Sequence, residues 1–198
     1  TGAPIWIFDP ESVDQSLSED PMRFYKVNRG VAHWNDGDAE RLFYNVGRHI
    51  YAIDLKTGTL IKCFGDNGRI DLQLGLGRDP KTFNPFVAST TPPVIYKNLL
   101  ISGSRVAESI DAAPGHIRAY DVISGEQKWI FHTIPQPGEA NYETWPDTKA
   151  YEKLGGANNW AGMSVDHQRG VVYVPLGSVS GDFYGGFREG SNLYGNSL

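Results

Sequence analysis

The sequence predicts an all-β chain that forms part of a β-propeller, and a repeated hairpin is the main indication. In residues 115–131 (GHIRAYDVISGEQKWIF), alternating side chains predict a strand, DVISG predicts a turn, and the remainder predicts a second strand carrying Trp129. The same turn recurs as AIDLKTG before Lys62, and as the opening Thr-Gly before Trp6. Because positions 6, 62 and 129 recur after 56 and then 67 residues, the chain is expected to repeat one β-module.

The composition fits many short strands joined by turns, since the 198 residues include 23 Gly and 12 Pro and are 12% aromatic. The formal charge of −5 gives no basis for a nucleic-acid partner. No apolar run reaches the roughly 18–20 residues that span a membrane. Cys63 is the one cysteine, so an internal disulfide is excluded, and we expect it to be a small buried residue on a strand.

The repeat divides the chain into segments. Residues 1–9 are expected to end one blade, 10–65 and 66–132 to form two complete blades, and 133–198 an incomplete one. Because the first residues already lie inside a repeat, the natural N-terminus is expected upstream. The predicted strands are 24–34, 41–46, 49–54 and 59–64 in the first blade, 90–96, 99–103, 116–121 and 127–132 in the second, and 159–165, 171–176 and the start of another at 192–198 in the third.

The repeat also predicts how neighbouring blades pack. Trp6 and Trp129 have the same offset from a Thr/Ser-Gly turn, so we expect both to pack at equivalent places between blades. Lys62 occupies the corresponding position in the complete blade between them, and its junction is therefore expected to bury less aromatic surface.

A few polar residues stand at strand ends or in an apolar context. Arg29 lies in the apolar stretch VNRGV and is expected to be buried beside an anion, either an Asp of a neighbouring blade or a ligand. Glu108 and Ser178 each follow a glycine-containing corner after a predicted strand. Trp160 is flanked by small residues, so it is either core packing or a platform for a flat ligand. The five histidines show neither metal-ligand spacing nor a catalytic triad pattern.

The repeat, an Ala-x-Asp-x-x-Thr/Ser-Gly turn followed by Trp, resembles the tryptophan-docking motif of the dehydrogenases that use pyrroloquinoline quinone (PQQ). The segments VNRGVAHW, STTPPVIYKNLLISGS, GHIRAYDVISGEQKWIF, NNWAGMSVDHQRGVVYVPLGS and SGDFYGG occur in an order similar to that of membrane-type quinoprotein glucose dehydrogenases and their soluble relatives. The resemblance implies about three of eight four-stranded blades of a periplasmic enzyme. Its substrate would be a glucose-like sugar or an alcohol, and its electron acceptor a quinone or a cytochrome. A membrane anchor outside these residues is compatible with it.

The resemblance also implies two cofactors, PQQ and Ca²⁺, and assigns residues to each. Arg29 would pair with a quinone carboxylate, Thr90 would hydrogen-bond the cofactor and Trp160 would stack on it, while Arg105 and Ser180 lie at cofactor-proximal positions. The metal would be held by Glu108, which matches a ligand glutamate, and by Ser178, which stands where the alcohol-oxidising branch has an asparagine.

The sequence departs from the family pattern at three places. The adjacent cysteine pair of the alcohol branch is absent before Arg29, which favours the sugar branch. Tyr25 stands where the sugar branch has a cofactor-contacting histidine. The catalytic aspartate is expected beyond Leu198, so no catalytic residue is assigned here, and the isolated 198-residue segment is expected to be inactive.

The alternative is a non-catalytic propeller of the outer-membrane assembly type, a scaffold that binds protein segments. The two hypotheses differ over one set of residues, because a scaffold has no reason to keep a ligand site together. An enzyme should bring that set to one end of the propeller axis: Arg29, Thr90, Glu108 and Trp160.

Overall fold

A computed structural model describes residues 2–15, 17 and 27–198. Over these residues the regular secondary structure is mainly short strands, with only single-turn helical segments, which confirms the predicted all-β class. The strands are β1 Ala32–Asn35, β2 Glu40–Val46, β3 His49–Asp54, β4 Arg69–Asp71, β5 Val87–Ala88, β6 Val94–Tyr96, β7 Leu99–Ser102, β8 Arg105–Val106, β9 Ile117–Asp121, β10 Gln127–Phe131, β11 Ser164–Asp166 and β12 Val171–Tyr173. The helices are α1 Pro10–Val13 and α2 Ala150–Lys153, with 3₁₀ turns at Pro80–Thr82 and Tyr142–Thr144.

Two four-stranded antiparallel sheets form the body of the described chain. The first has the order β1-β2-β3-β4 and the second β10-β9-β7-β6. Alternating side chains of both sheets meet in one hydrophobic core, to which the first sheet contributes Phe43 and Ile50 and the second contributes Leu100 and Tyr120. Each sheet therefore buries one face against its neighbour, as blades do.

The second sheet follows the prediction except at its first strand. Thr90 to Pro93 were expected to belong to that strand, yet β6 begins only at Val94. Pro92 and Pro93 lack the N–H that a ladder requires, which explains the late start. The segment before them instead contacts Arg29, whose backbone N–H donates to the Thr90 carbonyl at 3.1 Å.

The fourth strand of the first sheet is not the predicted segment 59–64. Within that segment only Leu60 bridges to Ile53, and β4 supplies the outer strand. The chain turns at residues 62–64 because Phe64 enters the core, fully buried, with its ring 5.4 Å from that of Phe43. Cys63 lies on this turn and is exposed, so the expectation of a buried strand residue is wrong.

The third module is a hairpin of β11 and β12. Residues 192–198, which the structure describes in full, form turns rather than the predicted strand, because Asn192 and Asn196 adopt positive φ. The segment still runs beside the end of the hairpin, where the Leu176 N–H donates to the Ser197 carbonyl and the Asn196 N–H to the Gly177 carbonyl, both at 2.9 Å. Of the predicted strand 24–34, residues 24–26 lie outside the described residues and the remainder is a strand only from Ala32.

Trp6 joins its segment to the first sheet through the AIDLKTG turn. Its indole N–H donates to the Leu55 carbonyl at 2.9 Å, and its ring covers Gly58. A Cβ on Gly58 would lie 2.5 Å from the ring, so only glycine permits this contact. Trp129, the equivalent residue, is half-buried in a cluster that includes Val172 of β12.

The junction that carries Lys62 is not poor in aromatic surface, so that prediction is wrong. Lys62 is exposed, but Phe64 packs at the next turn, beside Gly125. Arg41 replaces the indole donor: its guanidinium donates to the Val122 carbonyl at 3.0 Å, and Val122 follows the turn aspartate just as Leu55 does.

Gly58→Ala should lower the free energy of unfolding by about 1–3 kcal/mol more than Gly37→Ala does. Both glycines have positive φ, so both variants strain the backbone, but a Cβ at Gly37 would meet no described atom within 4 Å. The difference therefore measures overpacking against Trp6. Urea denaturation of the two variants tests this, and equal midpoints would show that Trp6 does not pack on this turn.

In the described part of the chain, neither helix has the length or the apolar character needed to cross a membrane.

Candidate functional site

A cleft of about 310 Å³ lies where the ends of several modules meet, and it collects most of the predicted site residues. They come from separate parts of the chain: one precedes β1, two lie at or just after β8, one precedes β11 and one follows β12. The predicted residues that line it are Arg29, Arg105, Glu108, Trp160 and Ser178. The fold thus gathers polar and aromatic groups that are distant in sequence at one opening.

Arg29 is exposed rather than buried, which corrects the expectation from its apolar sequence context. Its backbone N–H and its guanidinium both donate to the Thr90 carbonyl, at 3.1 and 3.3 Å. It forms no ion pair with any residue that the structure describes, so the predicted Asp of a neighbouring blade is not its partner there. The cleft therefore holds a positioned cation with donors to spare.

Thr90 lies just beside this cleft, in a small pocket that shares Arg105 and Trp160 with it. Its hydroxyl Oγ1 is buried and has no hydrogen-bond partner among the described residues. The Ser104 hydroxyl lies in the same pocket and is likewise buried without a hydrogen-bond partner among the described residues. Buried polar groups are nearly always paired, so two unpaired hydroxyls beside an open cleft indicate places for ligand or water atoms.

Trp160 is 51% exposed and is therefore not core packing. The loop around it is held by Asn159, whose amide donates to the Gly162 carbonyl at 2.9 Å and to the Pro175 carbonyl at 2.7 Å. The Thr91 hydroxyl donates to the Trp160 carbonyl at 2.7 Å. The backbone here is held in place and the exposed indole lines the cleft, where it can serve as a platform for a flat ligand.

Two carboxylates stand in the cleft, although only Glu108 was predicted. Asp182 also lines it, and its pKa is raised by partial burial and then by the negative charge of Glu108, while Arg188 opposes the shift. Ser178 lies in the same cleft, with its hydroxyl donating to the Val179 carbonyl at 3.1 Å. In the sequence, Asp182 lies four residues after Ser178 in a glycine-rich loop, and this position could have indicated it, but no residue after Ser180 was assigned to the site.

Ser180 is not brought to the cleft. It is fully buried, its hydroxyl accepts from the Gly155 N–H at 2.9 Å and donates to the Ile110 carbonyl at 3.4 Å. Its role is to join two loops, so its assignment as a cofactor-contacting residue is not supported. Arg105 lines the cleft with its guanidinium 5.9 Å from the Phe86 ring.

The described residues contain no cluster of three or more His, Cys, Asp or Glu side chains that could hold a metal ion. Glu108, Asp182 and Ser178 nevertheless line one cleft and bring oxygen donors to it. The cleft thus brings together an exposed indole, two carboxylates and the Arg29 guanidinium, which forms no ion pair with a described residue.

The chain belongs to the PQQ family described as "Glucose/ethanol/alcohol dehydrogenase, beta-propeller domain", whose model matches residues 1–198. This membership confirms the predicted propeller and favours the enzyme hypothesis over the scaffold alternative.

Relatives of known function agree with this family. The chain is 37% identical over 155 residues to quinate/shikimate dehydrogenase (quinone) of Acinetobacter baylyi. The aligned region is 77% of this chain and 18% of that protein. It is 29% identical to quinoprotein glucose dehydrogenase of Gluconobacter oxydans, over 95% of this chain and 24% of that one. The crystal structure of quinohemoprotein alcohol dehydrogenase from Comamonas testosteroni matches with a TM-score of 0.69 and 27% identity, over 98% of this chain and 28% of that chain.

A europium-containing methanol dehydrogenase shares the fold, with a TM-score of 0.63 at 21% identity. The 198 residues therefore span about a fifth to a quarter of the curated relatives described above, at 18% and 24% of their lengths.

Proposed function

We propose that this chain forms one wall of the cofactor site of a PQQ-dependent dehydrogenase. The enzyme would oxidise a glucose-like sugar or an alcohol in the periplasm and pass the electrons to a quinone or a cytochrome. The observation that carries the proposal is the convergence of Arg29, Trp160, Glu108 and Ser178 from separate modules on one cleft. Family membership supports the reaction class, and the substrate remains part of the proposal.

The residues fit PQQ, which is planar and carries three carboxylates. Arg29 has no counter-ion among the described residues and can meet a carboxylate through two N–H groups. Trp160 offers an open aromatic face, and the Thr90 hydroxyl lacks a partner. PQQ, when bound, supplies the two-electron acceptor for the hydrogen removed from the substrate.

The cleft also fits a hard cation such as Ca²⁺, which prefers carboxylate and hydroxyl oxygens. Glu108 and Ser178 are the predicted ligands, and we add Asp182 as a second carboxylate. Ser178 is a weaker ligand than asparagine, but its hydroxyl donates its proton to the Val179 carbonyl, which leaves the oxygen lone pairs available to a cation. A bound Ca²⁺ would supply Lewis acidity and would relieve the repulsion between Glu108 and Asp182.

Proton removal from the substrate hydroxyl needs a general base within hydrogen-bond reach. The aspartate of the family that performs this step is predicted to lie beyond Leu198, and the residues of this chain would hold the cofactor. The direct test is dye reduction by the full-length protein with glucose, quinate and simple alcohols. PQQ-dependent turnover of at least one supports the proposal, and none with any substrate contradicts it.

Trp160→Ala should weaken PQQ binding by roughly 1–3 kcal/mol, the scale of losing one stacked aromatic at a binding site. The measurement is a PQQ absorbance titration of the full-length apoprotein. Trp145→Phe is a suitable control for general effects of altering a tryptophan, because Trp145 is 3% exposed and belongs to a separate hydrophobic cluster. An unchanged affinity in Trp160→Ala would remove this residue from the site.

A further inference from the structure

A second cleft, of about 260 Å³, lies between the two long loops at residues 72–86 and 133–157. The residues that line it differ from the described residues that line the first cleft. Its polar side chains include Arg78, His116 and Gln136. None of them has a part in the proposed dehydrogenase site.

Arg78 brings a positive charge without a counter-ion to this cleft. Its Nη1 donates to the Leu154 carbonyl at 3.0 Å and its Nη2 to the Thr82 carbonyl at 3.3 Å, so both loops hold it in place. Its Nε is buried with no hydrogen-bond partner in the described chain, and no ion pair forms with a described acid. Burial lowers its pKa.

His116 adds a neutral donor. Its side chain is 5% exposed, and its Nδ1 accepts the Thr133 N–H at 3.4 Å, which places the ring proton on Nε2. Nε2 has no partner among the described residues. Burial lowers the pKa of His116 to about 3, with further lowering by the neighbouring His132, Arg118 and Arg78, so the ring is uncharged at neutral pH.

The rim of the cleft favours a ligand with one negative charge and several hydroxyls. Glu152 and Asp79 are exposed acids at the opening and would repel a multiply charged anion. Glu152 accepts from the Tyr151 hydroxyl at 3.1 Å and has further acceptor capacity. The Gln136 side chain offers an amide that can both donate and accept.

We propose that this cleft binds a small hydroxylated monocarboxylate. Its carboxylate pairs with the Arg78 guanidinium and accepts from His116 Nε2–H, and its hydroxyls bond Gln136 and Glu152. Binding places a counter-ion beside Arg78 and gives the His116 ring N–H an acceptor that it lacks among the described residues.

The test is isothermal titration calorimetry of the full-length protein prepared without PQQ, with D-gluconate as the probe. We expect saturable binding that Arg78→Gln weakens at least tenfold and that Arg169→Gln leaves unchanged, since Arg169 is exposed and pairs with Asp166. D-glucose, the uncharged analogue, should bind at least tenfold more weakly than gluconate. Gluconate binding that is absent, or equal in Arg78→Gln, overturns the proposal.

Two further variants keep the result interpretable. Gln136→Ala alters a half-buried loop side chain and should weaken gluconate at least threefold even if Arg78→Gln fails to fold, and an unchanged affinity counts against the site. Arg29→Gln should leave gluconate binding intact, whereas its loss would place the ligand in the first cleft and overturn the proposal. Because no PQQ or turnover is involved, this result is independent of the dehydrogenase proposal.

Discussion

Arg29→Gln is expected to weaken PQQ binding roughly 10- to 100-fold, corresponding to the about 1.5–3 kcal/mol of a hydrogen bond to a charged group. The effect should be large because Arg29 has no other anion among the described residues and is already positioned by the Thr90 carbonyl. Glutamine keeps a polar donor but loses the charge and the two-pronged geometry.

The measurement is a titration of the full-length apoprotein with PQQ at two salt concentrations. Higher salt should weaken binding in the parent protein and have less effect in Arg29→Gln, because the lost contact is ionic. Arg169→Gln, which alters an exposed arginine on the β11–β12 turn, should match the parent protein. An affinity within twofold of the parent in Arg29→Gln would contradict the assignment.

Replacing both cleft carboxylates, with Glu108→Gln and Asp182→Asn together, should reduce kcat at least roughly 100-fold, since a Lewis-acid metal contributes several kcal/mol to such reactions. Each single variant should lose less, because one carboxylate and Ser178 remain. Terbium luminescence measures metal binding directly and should fall in parallel with activity.

Thermal stability with and without Ca²⁺ distinguishes a metal-binding role for these two acids from a purely structural one. Partial burial and then the negative charge of Glu108 raise the pKa of Asp182, so removing both charges should slightly raise the melting temperature of the metal-free protein. In the presence of Ca²⁺ the parent protein should be the more stable of the two. Glu126→Gln serves as control, because Glu126 is exposed and pairs with Lys128. Unchanged terbium binding in the double variant would exclude both carboxylates as ligands.

The sequence predicted the hairpins well because alternation and turn chemistry are local properties. β2, β3, β7, β9 and β10 all lie within or nearly within the predicted ranges. The fourth strand of the first sheet failed because its position depends on a tertiary contact: Phe64 is fully buried in the core and turns the chain away from the ladder. No local pattern distinguishes that phenylalanine from one that continues a strand.

In the candidate site, too, some features could be predicted from the sequence and others depend on the tertiary fold. Arg29, Glu108 and Trp160 were singled out from their residue type and context, and the fold brings them to one cleft. The expected burial of Arg29 was wrong because apolar neighbours in sequence do not determine which way a loop faces. Ser180 and Asp182 are two residues apart in one loop, and only the path of that loop turns the serine inward and lets the carboxylate line the cleft.

The contact between Arg41 and Val122 has a consequence for how such chains diverge. At one junction the turn carbonyl receives an indole N–H from Trp6, and at the next it receives a guanidinium from a different strand of the blade. The constant partner is thus the acceptor, while the donor can change both its chemistry and its place in the repeat. Blades can then lose their tryptophan without losing cohesion, and a count of tryptophans in a sequence will underestimate the number of modules in the ring.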